Sequence, residues 1–226
     1  MKKAFLLTAL FLASWGAAAQ DIVSHNISDF NQIVLTGKLN VVLEQGNKNS
    51  FEVTLHNITA DRFSWTISDG KLNLRLRANT RQEGSADVKI VYKHIDALDV
   101  ASASIRNEGT IESDLFEVKV ANGGNINIAA QSKDITVNAD GNSAVTLSGN
   151  TLYLNISANS KAKIDARALQ ARSAMVNAQV NAEIFVWGTE RLEAKAGSNS
   201  VIYYKGTPEI FKTTTNLMGS IEQFAY

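Results

Sequence analysis

The chain has no cysteine and only one proline among its 226 residues. Without cysteine, disulfide bonds, thiolate zinc sites, iron–sulfur clusters and cysteine nucleophiles are all excluded. The stability of the fold must therefore come from burial and hydrogen bonding. Because proline cannot donate to a ladder of backbone hydrogen bonds, its near absence favours a chain made of paired strands.

The chain also lacks an excess of charge of either sign, with 22 basic and 22 acidic residues. A balanced chain has no electrostatic footprint for nucleic acid or for an anionic membrane, so neither partner is predicted. The apolar stretch from Phe5 to Leu12 is too short to span a bilayer, and no transmembrane anchor is predicted.

Residues 1–19 are predicted to be a cleaved signal peptide. Lys2 and Lys3 form its charged start, an apolar stretch follows, and the small residues of positions 17–19 offer a cleavage site, so the mature chain should begin at Gln20. Since no cysteine follows the apolar stretch, attachment of a lipid anchor at that point is excluded. We therefore expect export, to the periplasm, the cell surface or the medium.

From residue 97 onward the sequence repeats one pattern, in which small and polar residues precede a short apolar strand. The repeated pairs are Ser104-Ile105, Asn125-Ile126, Ala144-Val145, Lys163-Ile164, Glu183-Ile184, Ser200-Val201 and Ser220-Ile221. Such a sustained period, of about 20 residues, predicts an all-β, parallel β-solenoid over positions 97–226, and an evenly spaced β-sandwich is the alternative. The same pattern predicts that Ile126, Val145, Ile164 and Ile184 align in one inward column.

Residues 20–96 are instead predicted to be a hairpin-rich β region that forms one continuous domain with the solenoid and caps it. Asp69-Gly70 lies between two alternating runs, 63–67 and 72–76. An Asp-Gly pair in this position is a strong hairpin signal. At the corners of the solenoid, asparagine is predicted to serve as a turn residue, because it tolerates positive φ. These asparagines are Asn122, Asn142, Asn159 and Asn199.

Residue types that carry catalysis do not cluster in this sequence. His25, His56 and His94 have no metal-ligand spacing, and no nucleophile elbow, phosphate loop or dinucleotide fingerprint occurs. No catalytic, cofactor-binding or metal-binding residue is therefore predicted, and Asp140-Gly141-Asn142 is interpreted as a turn. The alternative, a carbohydrate-active β-helix enzyme, needs carboxylates that converge on one face. Its candidate residues are Asp165, Arg167, Glu183 and Glu193.

One outward patch is predicted to be an interaction surface. If Ile184 and Val186 point inward, alternation directs Phe185 and Trp187 outward. If Val201 and Tyr203 point inward in the next coil, the outward neighbours there are Ile202 and Tyr204. An exposed apolar cluster of this kind could bind a partner or a second copy. The alternative is a local aromatic ladder, or a surface covered by a terminal segment.

Several segments resemble one family over nearly the whole mature chain. They are Gly124-Asn125-Ile126-Asn127, the run 203–208, Gly219-Ser220-Ile221, Phe30-Asn31-Gln32-Ile33, Gly37, 41–43, Gln45-Gly46 and 69–72. The chain resembles the GIN-domain family, putative auto-transporter adhesin head domains common in Bacteroidetes. The resemblance implies a right-handed β-helix without a shared catalytic set.

Function is expected to follow from the site and not from the fold alone. We expect an exported, non-enzymatic domain that acts as an adhesin-like binding module or as a scaffold at the cell envelope or surface. Its expected partner is a glycan, a host or cell-surface protein, or another copy of the chain. A polysaccharide lyase or hydrolase is the alternative, and no cofactor is expected.

Overall fold

The computed structural model describes residues 23–77 and 84–224, so the predicted signal peptide lies outside the described residues. The described residues form 17 strands and one short 3-10 helix, Ala60–Arg62. The first nine strands are β1 Val23–Asn26, β2 Gln32–Thr36, β3 Leu39–Gln45, β4 Ser50–His56, β5 Phe63–Ser68, β6 Lys71–Leu76, β7 Ser85–Tyr92, β8 Ala97–Ala101 and β9 Ser104–Glu108. The remaining strands are β10 Ile111–Ala121, β11 Asn125–Ala139, β12 Ala144–Ala158, β13 Lys163–Ala178, β14 Glu183–Ala196, β15 Val201–Lys205, β16 Ile210–Thr215 and β17 Ser220–Gln223.

The strands from β8 onward pair in parallel, coil upon coil. Their register places Ile126 opposite Val145, Val145 opposite Ile164, and Ile164 opposite Ile184. The predicted inward column is therefore confirmed. The stack is a β-solenoid of about seven turns with roughly 19 residues per turn, as the sequence period predicts.

The interior is a dry stack of aliphatic side chains, in which the four residues of this column are at most 2% exposed. A second column on the adjacent sheet includes Val118, Val137, Ile156 and Val176. Each fully buried aliphatic side chain contributes about 1.5–3 kcal/mol. Ordering a coil costs about 1–2 kcal/mol for each residue, so an isolated coil is unstable and must stack on its neighbours.

The order of the first coils in space differs from their order in the chain. Strand β2 lies between β6 and β8, and β3 lies between β7 and β9, with parallel pairing throughout. Strands β2 and β3, and likewise β6 and β7, therefore belong to coils of the same stack. Parallel pairing continues across residue 97, where the recognisable sequence repeat begins.

Antiparallel strands are added at the N-terminal end of the stack. Strand β4 pairs with β7, β1 pairs with β4, and β5 pairs with β6. Asp69 and Gly70, at φ 52° and 71°, join β5 to β6, which confirms the predicted hairpin. These added strands bond to the outer sides of β7, β4 and β6, so that β1 and β5 are the outermost strands at this end.

One corner of the solenoid is a column of two-residue turns in which both residues have positive φ. The pairs are Asn122–Gly123, Gly141–Asn142, Ser160–Lys161, Val180–Asn181, Ser198–Asn199 and Leu217–Met218. Turns in neighbouring coils bond to each other, as where the N–H of Asn142 donates to the carbonyl of Ser160 at 3.0 Å. Asn122, Asn142 and Asn199 thus occupy the predicted turn positions, whereas Asn159 precedes its turn.

Candidate functional site

A polar groove of about 620 Å³ runs along the solenoid where β10 to β14 bend between two sheets. Residues at equivalent positions of successive coils line the bend, and the hydroxyl residues Ser132 and Thr151 lie in the middle of it. The lining residues are His94, Glu112, Ser113, Asp114, Gln131, Ser132, Lys133, Asn150, Thr151, Leu152, Gln170, Arg172 and Thr189. These residues define the polar groove.

The hydroxyl groups of Ser132 and Thr151 stabilise the backbone of the bend. Ser132 Oγ lies 3.0 Å from the carbonyl oxygen of Asp114 and 2.8 Å from that of Asp134. In the next coil, Thr151 Oγ1 lies 3.1 Å from the carbonyl of Lys133 and 3.0 Å from that of Tyr153. Ser132 and Thr151 are both buried, so these hydroxyls serve the backbone and are not available to a ligand.

Beside the hydroxyls runs a column of exposed amides, which we call the amide column: Gln131, Asn150 and Gln170. Within the described residues, the structure gives these three amides no hydrogen-bond partner. Successive coils are about 4.8 Å apart, so the column repeats at that spacing. Each amide carries both donors and an acceptor that remain available to a ligand.

The charged residues of the groove are largely neutralised by each other. Lys133 Nζ lies 2.9 Å from Asp114 Oδ1, and Arg172 Nε lies 2.7 Å from Glu190 Oε2. The hydrogen bond and charge of Asp114 raise the pKa of Lys133, so the lysine stays protonated beside its partner. The groove therefore presents polar dipoles more than net charge.

A hydrogen-bonded cluster around Asp96 orders the N-terminal end of the groove. Its carboxylate accepts from Ser113 Oγ at 2.8 Å and from Asn31 Nδ2 at 3.1 Å, and lies 2.6 Å from His94 Nε2. Burial alone would raise the pKa of Asp96, but these hydrogen bonds outweigh it and hold the pKa below its usual value. In a nucleophilic triad the histidine would accept from the serine, whereas both bond to the carboxylate in this cluster.

The carboxylates that the sequence suggested for an enzyme are each paired with a cation. Arg167 hydrogen-bonds to Asp165 and lowers its pKa. Glu183 lies 3.4 Å from Lys163 of the coil before, and Glu193, further along β14, pairs with Arg191 and lies 3.6 Å from Lys212. The sequence candidates are thus held in separate ion pairs.

Hydrogen bonds from neighbouring side chains lower the pKa of several carboxyl groups. Wherever the pKa of a carboxyl group in residues 23–77 and 84–224 departs clearly from its usual value, it is lowered; these groups are Asp61, Asp87, Asp96, Asp165 and Glu193. The general acid of a glycosidase has a raised pKa, which none of these five groups has. The same part of the chain contains no group of three or more His, Asp or Glu side chains that could hold a metal ion.

The predicted outward patch requires a correction. The register places Ile202 opposite Ile184 and Tyr204 opposite Val186, so Ile202 is fully buried and Tyr204 packs partly against the core. The prediction took Val201 as the inward residue of this coil, whereas the residue after it faces inward. Phe185 and Trp187 therefore have Tyr203 and Lys205 as their outward neighbours.

This corrected set forms an aromatic ladder on the outward side of β14 and β15. Phe185 stacks on Tyr203 with ring centroids 4.7 Å apart. The guanidinium carbon of Arg167, which belongs to the coil before, lies 4.5 Å from the centroid of the Phe185 ring. Lys205 Nζ lies 3.7 Å from the Trp187 ring centroid. Because the aromatic rings are half-buried against neighbours from adjacent coils, the contacts stabilise the stack. An interaction role for this surface stays a prediction.

Sequence reasoning missed the amide column, although a signal for it exists. Gln131, Asn150 and Gln170 recur along the chain with the same period as the apolar column. Polar residues that share the period of a solenoid lie on one line along its surface. The bend that turns this line into a groove is not visible in the spacing.

Comparisons with known proteins agree with this architecture. A structure of a putative adhesin from Bacteroides fragilis covers 90% of this chain and 96% of its own, with 19% identity and a TM-score of 0.82. A putative adhesin from Parabacteroides distasonis covers 91% and 98%, with 18% identity and a TM-score of 0.73. A putative lipid binding protein from the same species covers 93% and 98%, with 21% identity and a TM-score of 0.69. At these identities the likeness shows the shared fold alone.

No curated protein matches the chain. None of the helical segments in the described residues is long and apolar enough to cross a bilayer. A sequence family described as "putative auto-transporter adhesin, head GIN domain" matches residues 29–208, which is most of the chain and confirms the resemblance. The chain therefore belongs to this GIN-domain family.

Proposed function

We propose that the chain is an exported, non-enzymatic binding domain of the adhesin type, and that its polar groove binds a neutral glycan chain along the solenoid axis. The observation that carries this proposal is the amide column, whose exposed donors and acceptors have no partner within the described residues. The family description and the two structures described as putative adhesins support a binding role.

The form of the groove favours a glycan over a peptide. Sugar hydroxyls both donate and accept hydrogen bonds, and a carboxamide side chain can accept the first and donate the second. An extended peptide commonly binds by adding a strand to an open sheet edge. Along the groove, β11 and β12 are paired on both sides, so no such edge is offered there.

The charges favour a neutral glycan over an anionic one. Lys133 and Arg172 already have carboxylate partners, and Glu112 stands next to Gln131 at the head of the amide column. A uronate or sulfate group would therefore meet a carboxylate without gaining a free cation. Neutral hydroxyls would meet the amides without that repulsion.

Removing the amide column should abolish most of the binding. In the variant Gln131→Ala/Asn150→Ala/Gln170→Ala, the loss of three hydrogen-bonding groups should weaken binding about a hundredfold, at roughly 1 kcal/mol for each group. The measurement is a glycan array with neutral and anionic polysaccharides, followed by titration calorimetry of the best ligand.

The matched control removes polar groups from the same three coils on another face. Asn138, Ser157 and Asn177 align beside the buried column of Val137, Ile156 and Val176, and their triple alanine variant should keep wild-type affinity. Equal loss of affinity in the two variants, or a wild-type protein that prefers anionic glycans, would contradict the proposal. Depolymerisation of a bound polysaccharide by the pure protein would support the enzyme alternative.

Export is the second part of the proposal and is tested separately. The full chain expressed in a Gram-negative host should be recovered outside the cytoplasm, with its N-terminus at Gln20. Intact-mass analysis of the recovered protein measures this directly. A chain that keeps residues 1–19 and stays in the cytoplasm would contradict it.

A further inference from the structure

The two ends of the solenoid differ in the direction of their outermost strands. At the N-terminal end the outermost strands, β1 and β5, are added antiparallel to β4 and β6. At the C-terminal end, the structure pairs β16 with β14 and β17 with β15, and gives neither strand a second neighbour among the described residues. Among the residues that the structure describes, the last coil therefore presents an unpaired edge.

The orientation of the backbone shows which groups lie at this edge. The N–H groups of Asn216 and Ser220 donate inward along the stack, to the carbonyls of Ala196 and Ser200. Alternate residues of a parallel strand direct their N–H and C=O groups to opposite sides. The open edge is therefore formed by the backbone groups of Phe211, Thr213 and Thr215 on β16 and of Ile221 and Gln223 on β17.

Apolar side chains surround this edge. Leu217 is 73% exposed and Met218 is 85% exposed at the corner turn, and Phe211, at an inward position of the last coil, is still 44% exposed. Natural edges are usually blunted by several charges, a proline or a bulge. Here each strand carries one charge, Lys212 on β16 and Glu222 on β17.

We propose that two copies of the chain associate end to end about a two-fold axis through this corner. Strand β16 of each copy then adds antiparallel to β17 of the other, with the axis at Leu217. In this register Thr213 lies opposite Ile221 of the second copy and Phe211 opposite Gln223, so the edge-directed backbone groups meet each other. The same register sets Lys212 opposite Glu222, twice by symmetry.

The self-complementarity of the end identifies a second copy as the occupant. An isologous interface requires that each patch match itself under a two-fold rotation. Lys212, whose Nζ also lies 3.6 Å from Glu193 Oε1 of its own copy, and Glu222 carry opposite charges and meet this condition. Leu217 meets its own symmetry mate at the axis. The balanced charge of the chain, with 22 basic and 22 acidic residues, adds no overall repulsion between copies.

Single cysteines test this geometry cleanly, because the chain has none of its own. With Leu217→Cys, two sulfurs at the axis should form an intermolecular disulfide on mild oxidation, since adjacent coils are about 4.8 Å apart. The matched control is Val180→Cys, which occupies the equivalent position of an interior turn. The two cysteines at position 180 would be about 24 Å apart in the dimer, and no rapid cross-link should form between them.

Charge exchange tests the register. Glu222→Lys should raise the dissociation constant of the dimer about tenfold, because it places like charges opposite each other twice. The double variant Lys212→Glu/Glu222→Lys should restore the dimer. Thr213→Pro should abolish it, since proline removes an edge donor that has no role within the chain. Analytical ultracentrifugation over a concentration series measures all three, with thermal unfolding as the folding control.

Three outcomes would overturn the proposal. They are a wild-type chain that stays monomeric over the whole series, a dimer that survives Thr213→Pro, and cysteine variants that cross-link at equal rates. Binding of the end to phosphatidylcholine vesicles, with no dimer, would identify a lipid surface as its partner instead. None of these outcomes depends on glycan binding, so the result is independent of the proposed function.

Discussion

Replacing Ile164 with aspartate is expected to lower the free energy of unfolding by about 5 kcal/mol, because the new carboxylate would be buried without a partner. Ile164 is 1% exposed and lies between Val145 and Ile184 in the inward column. Neither neighbour can accept or donate a hydrogen bond. For a chain of this size the loss corresponds to a fall in Tm of about 10–20 °C, measured by circular dichroism.

The control places the same charge on the opposite side of a strand. Asn127 is exposed, follows Ile126, and lies opposite Arg106 on the coil before, so Asn127→Asp should leave the Tm within about 2 °C of wild type. A Tm for Ile164→Asp equal to wild type would show that the column does not face the interior. The register of the whole stack would then be wrong.

Gly149→Ala is expected to cost about 3 kcal/mol or more, although it adds only one methyl group. Gly149 has φ +113°, and a Cβ atom there would lie 2.1 Å from the carbonyl oxygen of Ala130 in the coil before. That oxygen belongs to a backbone that is itself paired, so it cannot move without disturbing the ladder. Denaturant unfolding would measure the loss.

A second glycine separates the clash from the backbone conformation. Gly109 also has positive φ, at +79°, but a Cβ atom there meets nothing within 4 Å. Gly109→Ala should therefore cost only about 1 kcal/mol, which is the cost of the left-handed conformation alone. Equal losses for the two variants would mean that coil contact plays no part at Gly149.

Much of the architecture could be predicted because its physical causes repeat in the sequence. Ile126, Val145, Ile164 and Ile184 share one column since a stacked coil of constant length returns each inward position to the same place. The hairpin at Asp69-Gly70 could be predicted from local chemistry, because glycine and aspartate tolerate the positive φ that the turn requires.

The register of the last coils could not be predicted in the same way. Val201 and Ile202 are both apolar, so alternation alone does not say which of them points inward. The preceding turn decides: Ser200 is buried and its Oγ accepts from the N–H of Ala182, which places Ile202 opposite Ile184. A one-residue slip exchanges the two faces of a strand, and the predicted patch therefore contained Ile202 and Tyr204 instead of Tyr203 and Lys205.

The sequence by itself determined the all-β class, the repeat and the inward column, because burial and turn chemistry act locally and recur with each coil. Only the tertiary structure decided the rest. The insertion of β2 and β3 between later strands, the bend that makes the amide column a groove, and the open last edge all depend on contacts between residues far apart in the chain. Such contacts leave no periodic trace in a single sequence.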